Sequence, residues 1–284
     1  MFPGIAYGNR SVLLSHAGLS WMRRLPVAVQ HGWYLYAIAA ECSSDPPEMW
    51  VWSERIAKDF EKYFPAERIR IVGSYFCYLY NSVKHKLPSC IPLGSIVIPS
   101  HSTGDISYEY AVAEYARRLN ELGDEYKPIR VMIHPLDLDE EYVNEYRNYD
   151  FEVVCNGNGK DFIENFIKNV HGKKYCIYPE AGSGLLYAIY MGLRPLHLTV
   201  ESIHTNRGNL WMKDKPSAEE DRVWKLMCLE PTPSLVEKEL GVEYLLSSRE
   251  MRRVLIKNYF TRRFLTHFAT RAMQKLWRMS TGRN

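Results

Sequence analysis

The chain has 284 residues and a net charge of +3, and its 46% hydrophobic and 24% charged residues are those of an ordinary globular protein. Its six cysteines show no CxxC spacing, which argues against disulfides and zinc sites and favours buried thiols in a reducing compartment. No signal-peptide pattern opens the chain and no apolar run approaches membrane-spanning length, so we expect a cytosolic protein.

Strand-like and helix-like segments alternate over the first part of the chain. Residues 12–14 fit either a brief strand or part of a helix, and Ser53 is the expected N-cap of a later helix. The apolar positions of that helix are four apart and share one face: Ile56, Phe60 and Phe64. The predicted strands are residues 25–29, 49–52 and 69–72. We therefore expect a short first lobe at residues 1–90, with polar residues 81–93 as the linker that follows it.

A second alternating series begins after this linker. The predicted strands are residues 95–99, 129–133, 151–155 and 175–178, and the predicted helices are residues 108–122, 137–149, 162–170 and 185–191. Strands separated by helices at this spacing indicate a parallel sheet. The predicted fold is α/β with two Rossmann-like lobes, residues 1–90 and 91–215, followed by a helical segment at residues 216–284.

Three loops of the second lobe follow predicted strands. They carry hydroxyls in Ser102 and Thr103, an imidazole in His134, and the small-residue turn that contains Ser183. Loops at the carboxyl ends of parallel strands lie along one edge of the sheet, so these groups can converge around an anion such as a phosphate. The alternative for Ser183 is that it is only an N-cap in a tight connection.

The order of these loops carries a resemblance to a known family. The segments SHSTGD, IHP and PEAGSGLLYAIYMGLRPL resemble the nucleotide-binding lobe of GT-B glycosyltransferases, most of all bacterial sialyl- and Kdo-transferases and CDP-glycerol glycerophosphotransferases. In the first lobe, Gln30-His31-Gly32 is similar to the HG motif of that branch, and residues 51–54 and 71–74 are similar to its later motifs. The resemblance implies that His134 contacts the donor phosphate, and that Ser183 with the amides of Gly182 and Gly184 holds the same phosphate.

Glycosyl transfer with inversion needs a base for the acceptor hydroxyl, and two side chains are candidates. His31 follows a predicted strand and would face the cleft, or it is a structural histidine that caps the next helix. Asp105 is the second candidate base, although it also fits the start of a helix at Ile106. The sequence leaves both choices open.

The remaining binding residues have ordinary alternatives as well. Ser102 and Thr103 would line the wall opposite Ser183, or would satisfy turn amides. Glu180 would bind the ribose or a sugar hydroxyl, or would cap the helix. No metal and no cofactor is expected beyond the nucleotide-sugar substrate, because the paired acids of residues 137–141 fit a solvated helix start.

The end of the chain is strongly basic. From Arg249 to Arg283 it holds ten Lys and Arg residues and one acid, with apolar side chains between them at helical spacing. This pattern predicts a basic amphipathic helix that binds an anionic membrane surface, or a helix that packs back on the first lobe. No motif supports nucleic-acid binding.

These features together predict a metal-independent glycosyltransferase at the cytoplasmic face of the cell membrane. It would transfer a sugar from a nucleotide-activated donor, with CMP or CDP preferred to UDP by the resemblance, to an envelope polysaccharide or lipid-linked glycan. The alternatives are a CDP-glycerol-type glycerophosphotransferase and a non-catalytic subunit that binds a nucleotide or glycan.

Overall fold

The computed structural model describes residues 7–38, 41, 45–102, 106–157, 159–206, 218–261, 265, 269–270 and 273. The helices are α1 Asn9–His16, α2 Glu54–Phe60, α3 Tyr75–Val83, α4 Val112–Asn120, α5 Glu140–Arg147, α6 Phe162–Val170, α7 Ser183–Tyr190, α8 Ala218–Leu229, α9 Pro233–Leu240 and α10 Ser248–Tyr259. The strands are β1 Ala28–Val29, β2 Met49–Val51, β3 Ile69–Ile71, β4 Ser95–Val97, β5 Ile106–Tyr110, β6 Ile129–Ile133, β7 Glu152–Cys155, β8 Tyr175–Tyr178, β9 Arg194–His197 and β10 Ser202–Asn206.

The first lobe is built on a small parallel sheet in the order β1-β2-β3. Its strands are two or three residues long, shorter than their apolar runs predicted. Met49 and Val51 of β2 and Phe60 of α2 are fully buried in one hydrophobic cluster. The carboxyl ends of these strands point to the same edge and bring the loop after β1 to the junction with the second lobe.

The second lobe contains a five-stranded parallel sheet in the order β7-β6-β4-β8-β9. The order reverses between β4 and β8, which lie side by side although they are far apart in the chain. A crevice forms beyond the carboxyl ends of strands at such a reversal, and it is where ligands bind in open α/β sheets. The predicted α/β class with two Rossmann-like lobes, the first of them short, is confirmed.

Two predicted segments have a different structure. The helix predicted at residues 108–122 begins only at Val112, because residues 106–110 form β5 and pair antiparallel with β10. The start of a helix at Ile106 is therefore wrong. Thr103 and Asp105 lie outside the described residues.

The predicted linker is also partly helical. α3 extends through Val83 and a 3-10 helix continues it over Lys84–Lys86, so only residues 87–94 lack regular secondary structure. Residues 12–14 lie within α1, which decides between the strand and the helix in favour of the helix.

One hydrophobic cluster contains residues of both lobes. The rings of Phe76 in α3 and Tyr187 in α7 stack with their centroids 4.1 Å apart, and Tyr80 meets Tyr190 at 5.8 Å. Both Phe76 and Tyr187 are buried, and the cluster around them draws side chains from both lobes. The lobes are thus joined by the same helix, α7, that begins at the crevice.

The last described helices return to the first lobe. The Ser74 amide donates to the Leu240 carbonyl at the end of α9 (2.8 Å), and α10 begins with a capping box of Ser247 and Glu250. α10 buries Met251 and Leu255 and turns its arginines outward. α10, which is the first part of the basic tail, therefore packs back on the first lobe, as one of the two alternatives predicted. Most of the tail after residue 261 lies outside the described residues. No helix in the described ranges has the length and apolar character to cross a bilayer.

Candidate functional site

The loops after β4, β6 and β8 meet at the crevice. The Ser100 hydroxyl donates to Glu180 Oε2 at 3.3 Å, which joins the loops on either side of the reversal. The imidazole rings of His101 and His134 stack with their centroids 4.3 Å apart. These contacts bring Glu180 and His134, both predicted site residues, to one edge of the sheet.

Ser102 belongs to the same edge, but its hydroxyl is already used. Its Oγ accepts a hydrogen bond from the Tyr108 amide at 3.1 Å and donates to the Tyr108 carbonyl at 3.4 Å. Its own amide donates to Asp137 at 3.0 Å. The structure therefore places Ser102 in the turn-satisfying role that the sequence left open, and its predicted ligand contact stays a prediction.

His134 carries a polar atom that is buried without a partner. Its Nδ1 accepts a hydrogen bond from the Leu136 amide at 3.3 Å, so in the neutral ring the proton is on Nε2. Nε2 is buried and has no hydrogen-bond partner among the described residues. Burial lowers the pKa of His134, although nearby Asp137 opposes this. A buried N–H without an acceptor is costly in a native protein, and it indicates a site for a group that accepts a hydrogen bond.

Tyr7 and Gly8, the first described residues, lie beside the sheet edge that carries His134. The Tyr7 ring lies 4.6 Å from Phe162 and 6.4 Å from His134, between centroids. Gly8 approaches the Lys160 carbonyl so closely that a Cβ would come within 2.1 Å of its oxygen. Sequence reasoning missed Tyr7, and the Tyr-Gly pair before α1 is the local signal of this tight approach.

No side chain of the described residues caps the amino end of α7. Gly182 is its N-cap with extended backbone, and Ser183 is its first residue. A side chain added at Gly182 would meet no atom within 4 Å, whereas one at Gly184 would press on Ile98 at 3.0 Å. The Ser183 side chain does not cap the helix, so that alternative is wrong; its Oγ accepts from the Trp33 amide at 2.8 Å.

His31 lies in the loop after β1, on the first-lobe side of the junction. Its Nδ1 is 2.6 Å from Oε1 of Glu41, whose side chain is only 2% exposed. The Tyr34 hydroxyl donates to the same carboxylate oxygen at 2.6 Å, and the Tyr75 hydroxyl holds the His31 carbonyl at 2.6 Å. Residues 32–38 are not helical, so His31 does not cap a following helix.

A buried carboxylate on one imidazole nitrogen fixes the orientation and tautomer of the ring, and it stabilises the imidazolium that forms when the other nitrogen takes a proton. The His31–Glu41 pair can therefore act as an oriented base. The sequence indicated His31, but neither Glu41 nor Tyr34. Burial and the Glu41 carboxylate together raise the pKa of Tyr34 well above its usual value, which keeps the phenol protonated as a donor.

An ion pair between Glu239 of α9 and Arg55 of α2 holds the loop that contains His31. The Glu239 carboxylate in α9 accepts from the Trp33 indole at 2.7 Å and from Arg55 at 2.7 Å. Arg55 also donates to the carbonyls of Tyr34 and Leu35, at 2.6 and 2.7 Å. Because Trp33 bonds to Ser183 through its backbone, the loop with His31 is fixed to both α7 and α9.

Comparisons with solved structures give distant similarities. No family model matches the chain, and no curated protein matches it. The UDP-GlcNAc 2-epimerase from Neisseria meningitidis bound to UDP-GlcNAc has a TM-score of 0.39 and 11% identity, over 76% of this chain and 62% of that one. The apo form of the lipopolysaccharide outer core galactosyltransferase WaaB has a TM-score of 0.30 and 13% identity, over 95% of this chain and 74% of that one.

Proposed function

We propose that the chain is a GT-B-type glycosyltransferase that binds the phosphate of a nucleotide-activated donor at the carboxyl edge of its second sheet. The observation that carries this proposal is the buried Nε2–H of His134, which has no acceptor among the described residues. A phosphate oxygen would supply one.

The amino end of α7 would share the same anion. Unpaired amides and the positive end of a helix dipole favour phosphate, and the Gly182 position offers open space beside them. Ser183 would contribute its O–H while its Oγ continues to accept from Trp33, since a hydroxyl donates and accepts together. Glu180 would meet the ribose or a sugar hydroxyl.

His31 would be the base for the acceptor. In a displacement with inversion, Nε2 takes the hydroxyl proton, the acceptor oxygen attacks the anomeric carbon, and the bond from that carbon to the phosphate oxygen breaks. The leaving phosphate keeps the electron pair, and its charge is stabilised by His134 and the α7 amides. Glu41 would position His31 and stabilise its protonated ring.

The finer parts of the proposal rest on the sequence: the donor and acceptor on the resemblance, the membrane face on the basic tail, and the lack of a metal requirement on the paired acids of residues 137–141. They are a CMP- or CDP-linked donor, an envelope polysaccharide or lipid-linked glycan as acceptor, transfer at the inner membrane face, and no metal requirement. The last is tested by assay in the presence of EDTA, where we expect unchanged activity.

Nucleotide binding is the direct test. We would titrate CMP, CDP, UDP and GDP into the wild-type protein and into His134→Asn, which keeps an acceptor for the Leu136 amide but loses the Nε2–H. Loss of one hydrogen bond to a charged group should weaken binding by roughly tenfold to a hundredfold. The matched control is His85→Asn, an exposed histidine in the 3-10 helix. Equal affinities of wild type and His134→Asn would contradict the site.

One observation favours a second function, a non-catalytic nucleotide- or glycan-binding subunit. Gly241 covers the carboxyl ends of β2 and β3, where its Cβ would come within 1.7 Å of the Trp52 carbonyl. Among the described loops at this edge of the first sheet, this leaves the loop after β1 to face an acceptor. Mass spectrometry of a glycan acceptor separates the functions: a sugar added supports the transferase, glycerol phosphate added supports the glycerophosphotransferase, and nucleotide binding without any product supports the subunit.

A further inference from the structure

A second concave surface lies at the opposite edge of the second sheet. It is a half-open groove of about 610 Å³ beside the amino ends of β8 and β9. Four permanent cations line it, Lys84, Lys173, Lys174 and Arg194, together with His171. Among the described residues that line this groove, none is Asp or Glu.

The cations exceed what the neighbouring helices require. α3, α6 and α7 end near the groove, and a helix C-terminus carries about half a negative charge. Three such ends offset roughly one and a half of the four positive charges. Burial is the main cause that lowers the pKa of Lys173; nearby Arg130 lowers it further, and nearby Glu152 opposes the change.

A rigid apolar loop stands beside these cations. Ile91 is 92% exposed and Leu93 is 60% exposed. The loop is fixed at both ends, since the Pro88 carbonyl is 2.9 Å from Nε2 of His171 and the Leu93 amide donates to the Gly172 carbonyl at 2.9 Å. Single exposed apolar residues are common on proteins. Two exposed apolar residues on one fixed loop, next to a groove whose described lining holds no Asp or Glu, instead indicate a binding surface.

Prolines and a glycine maintain this loop. Pro88 and Pro92 restrict the backbone on either side of Ile91. Gly172 has φ 79°, and a Cβ there would come within 3.3 Å of Cys90 Sγ. The loop therefore presents Ile91 with little conformational entropy left to lose on binding.

We propose that this groove binds the headgroup phosphates of an anionic phospholipid bilayer while Ile91 and Leu93 insert between the lipids. Basic residues around exposed apolar side chains are the combination that holds a protein at an anionic membrane surface. The apolar pair favours lipid over a soluble polyanion, because a polyanion would not bury the Ile91 and Leu93 side chains. None of the residues that line this groove belongs to the basic tail, and the proposal is independent of the transferase assignment.

The experiment measures binding of the full chain to vesicles of phosphatidylcholine alone and to vesicles with about one-third phosphatidylglycerol. We expect binding only to the anionic vesicles. The double variant Lys84→Glu/Lys174→Glu should lose this binding, and Ile91→Ser should weaken it by about tenfold, which equals about 1.4 kcal/mol. The control Lys58→Glu, an exposed lysine on α2, should bind like the wild type.

Two further arms make the proposal refutable. If Arg252→Glu/Arg253→Glu abolishes vesicle binding and the groove variants do not, the tail alone docks and the groove proposal is wrong. If the groove variants lose binding to soluble heparin while Ile91→Ser binds vesicles as the wild type does, the ligand is a soluble polyanion and the proposal is also wrong.

Cys90 gives an independent readout of insertion. It is exposed next to Ile91, whereas Cys77, Cys176 and Cys228 are buried. Anionic vesicles should slow maleimide labelling of the Cys90 peptide several-fold, as followed by mass spectrometry. An unchanged labelling rate at saturating vesicle binding would overturn the proposed orientation.

Discussion

Glu239→Gln should destabilise the protein strongly, although it changes only one atom. The Glu239 side chain is 4% exposed and that of Arg55 is 14% exposed. Both carboxylate oxygens are used, one by Arg55 Nε at 2.9 Å and the other by Arg55 Nη2 and the Trp33 indole, each at 2.7 Å. The amide leaves the guanidinium buried without a counter-charge, and its NH2 group faces a donor in either orientation.

Removal of one partner from a buried ion pair costs about 3 to 5 kcal/mol, and we expect the lower end because Arg55 keeps some contact with solvent. At this chain length a loss of about 3 kcal/mol lowers Tm by roughly 6 to 12 °C. Urea unfolding, followed by tryptophan fluorescence, measures the free energy directly.

The matched control is Glu237→Gln, an exposed residue of the same helix, which should change stability by less than about 0.5 kcal/mol. The double variant Arg55→Met/Glu239→Leu should recover part of the stability. It leaves no unpaired charge, although the Trp33 indole and the carbonyls of Tyr34 and Leu35 lose their partners. If Glu239→Gln unfolds like the control, the ion pair does not hold the loop.

Three further changes test other parts of the molecule. His134→Asn should make the free energy of unfolding less dependent on pH on the acid side. In the wild type, burial lowers the pKa of folded His134 below the ordinary 6.5, so the unfolded chain binds the extra proton and stability falls as the pH drops through this window. Identical pH profiles of variant and wild type in urea unfolding would contradict this. Gly241→Ala places a Cβ within 1.7 Å of the Trp52 carbonyl at a residue with φ 62°. It should therefore lower the free energy of unfolding, measured in urea, by at least about 2 kcal/mol. A smaller loss would show that the two backbone segments separate easily. Glu41→Gln should lower kcat by about a hundredfold or more while nucleotide affinity is kept, since it acts through His31; a change in KM alone would argue for a purely structural role.

The sequence predicted the local elements of the second lobe well. Residues 129–133, 162–170 and 175–178 match β6, α6 and β8, because each is an uninterrupted apolar or amphipathic run whose type is decided locally. The order of the loops also predicted that Glu180 and His134 lie at one edge. Strand ends in a parallel sheet share an edge, so topology alone brings these residues together.

What could not be predicted depends on distant partners. β5 is a strand only because β10, far along the chain, pairs with it, and aromatic residues such as Tyr108 and Tyr110 suit either state. Glu41 orients His31 from a segment without a clear pattern. The role of Glu239 depends on the return of α9 to the first lobe, which no periodicity encodes.

The connections of Trp33 explain why the base and the donor site would act together. Its indole is fixed by Glu239 and its amide by Ser183, so the loop two residues after His31 follows the position of α7. A donor phosphate at the start of α7 would accept the Ser183 O–H and order the hydroxyl that already holds Trp33. A base must be positioned to within about 0.5 Å to be effective, and a loop left to itself does not achieve this. Through Ser183, the group that binds the donor would also set the position of the residue that activates the acceptor.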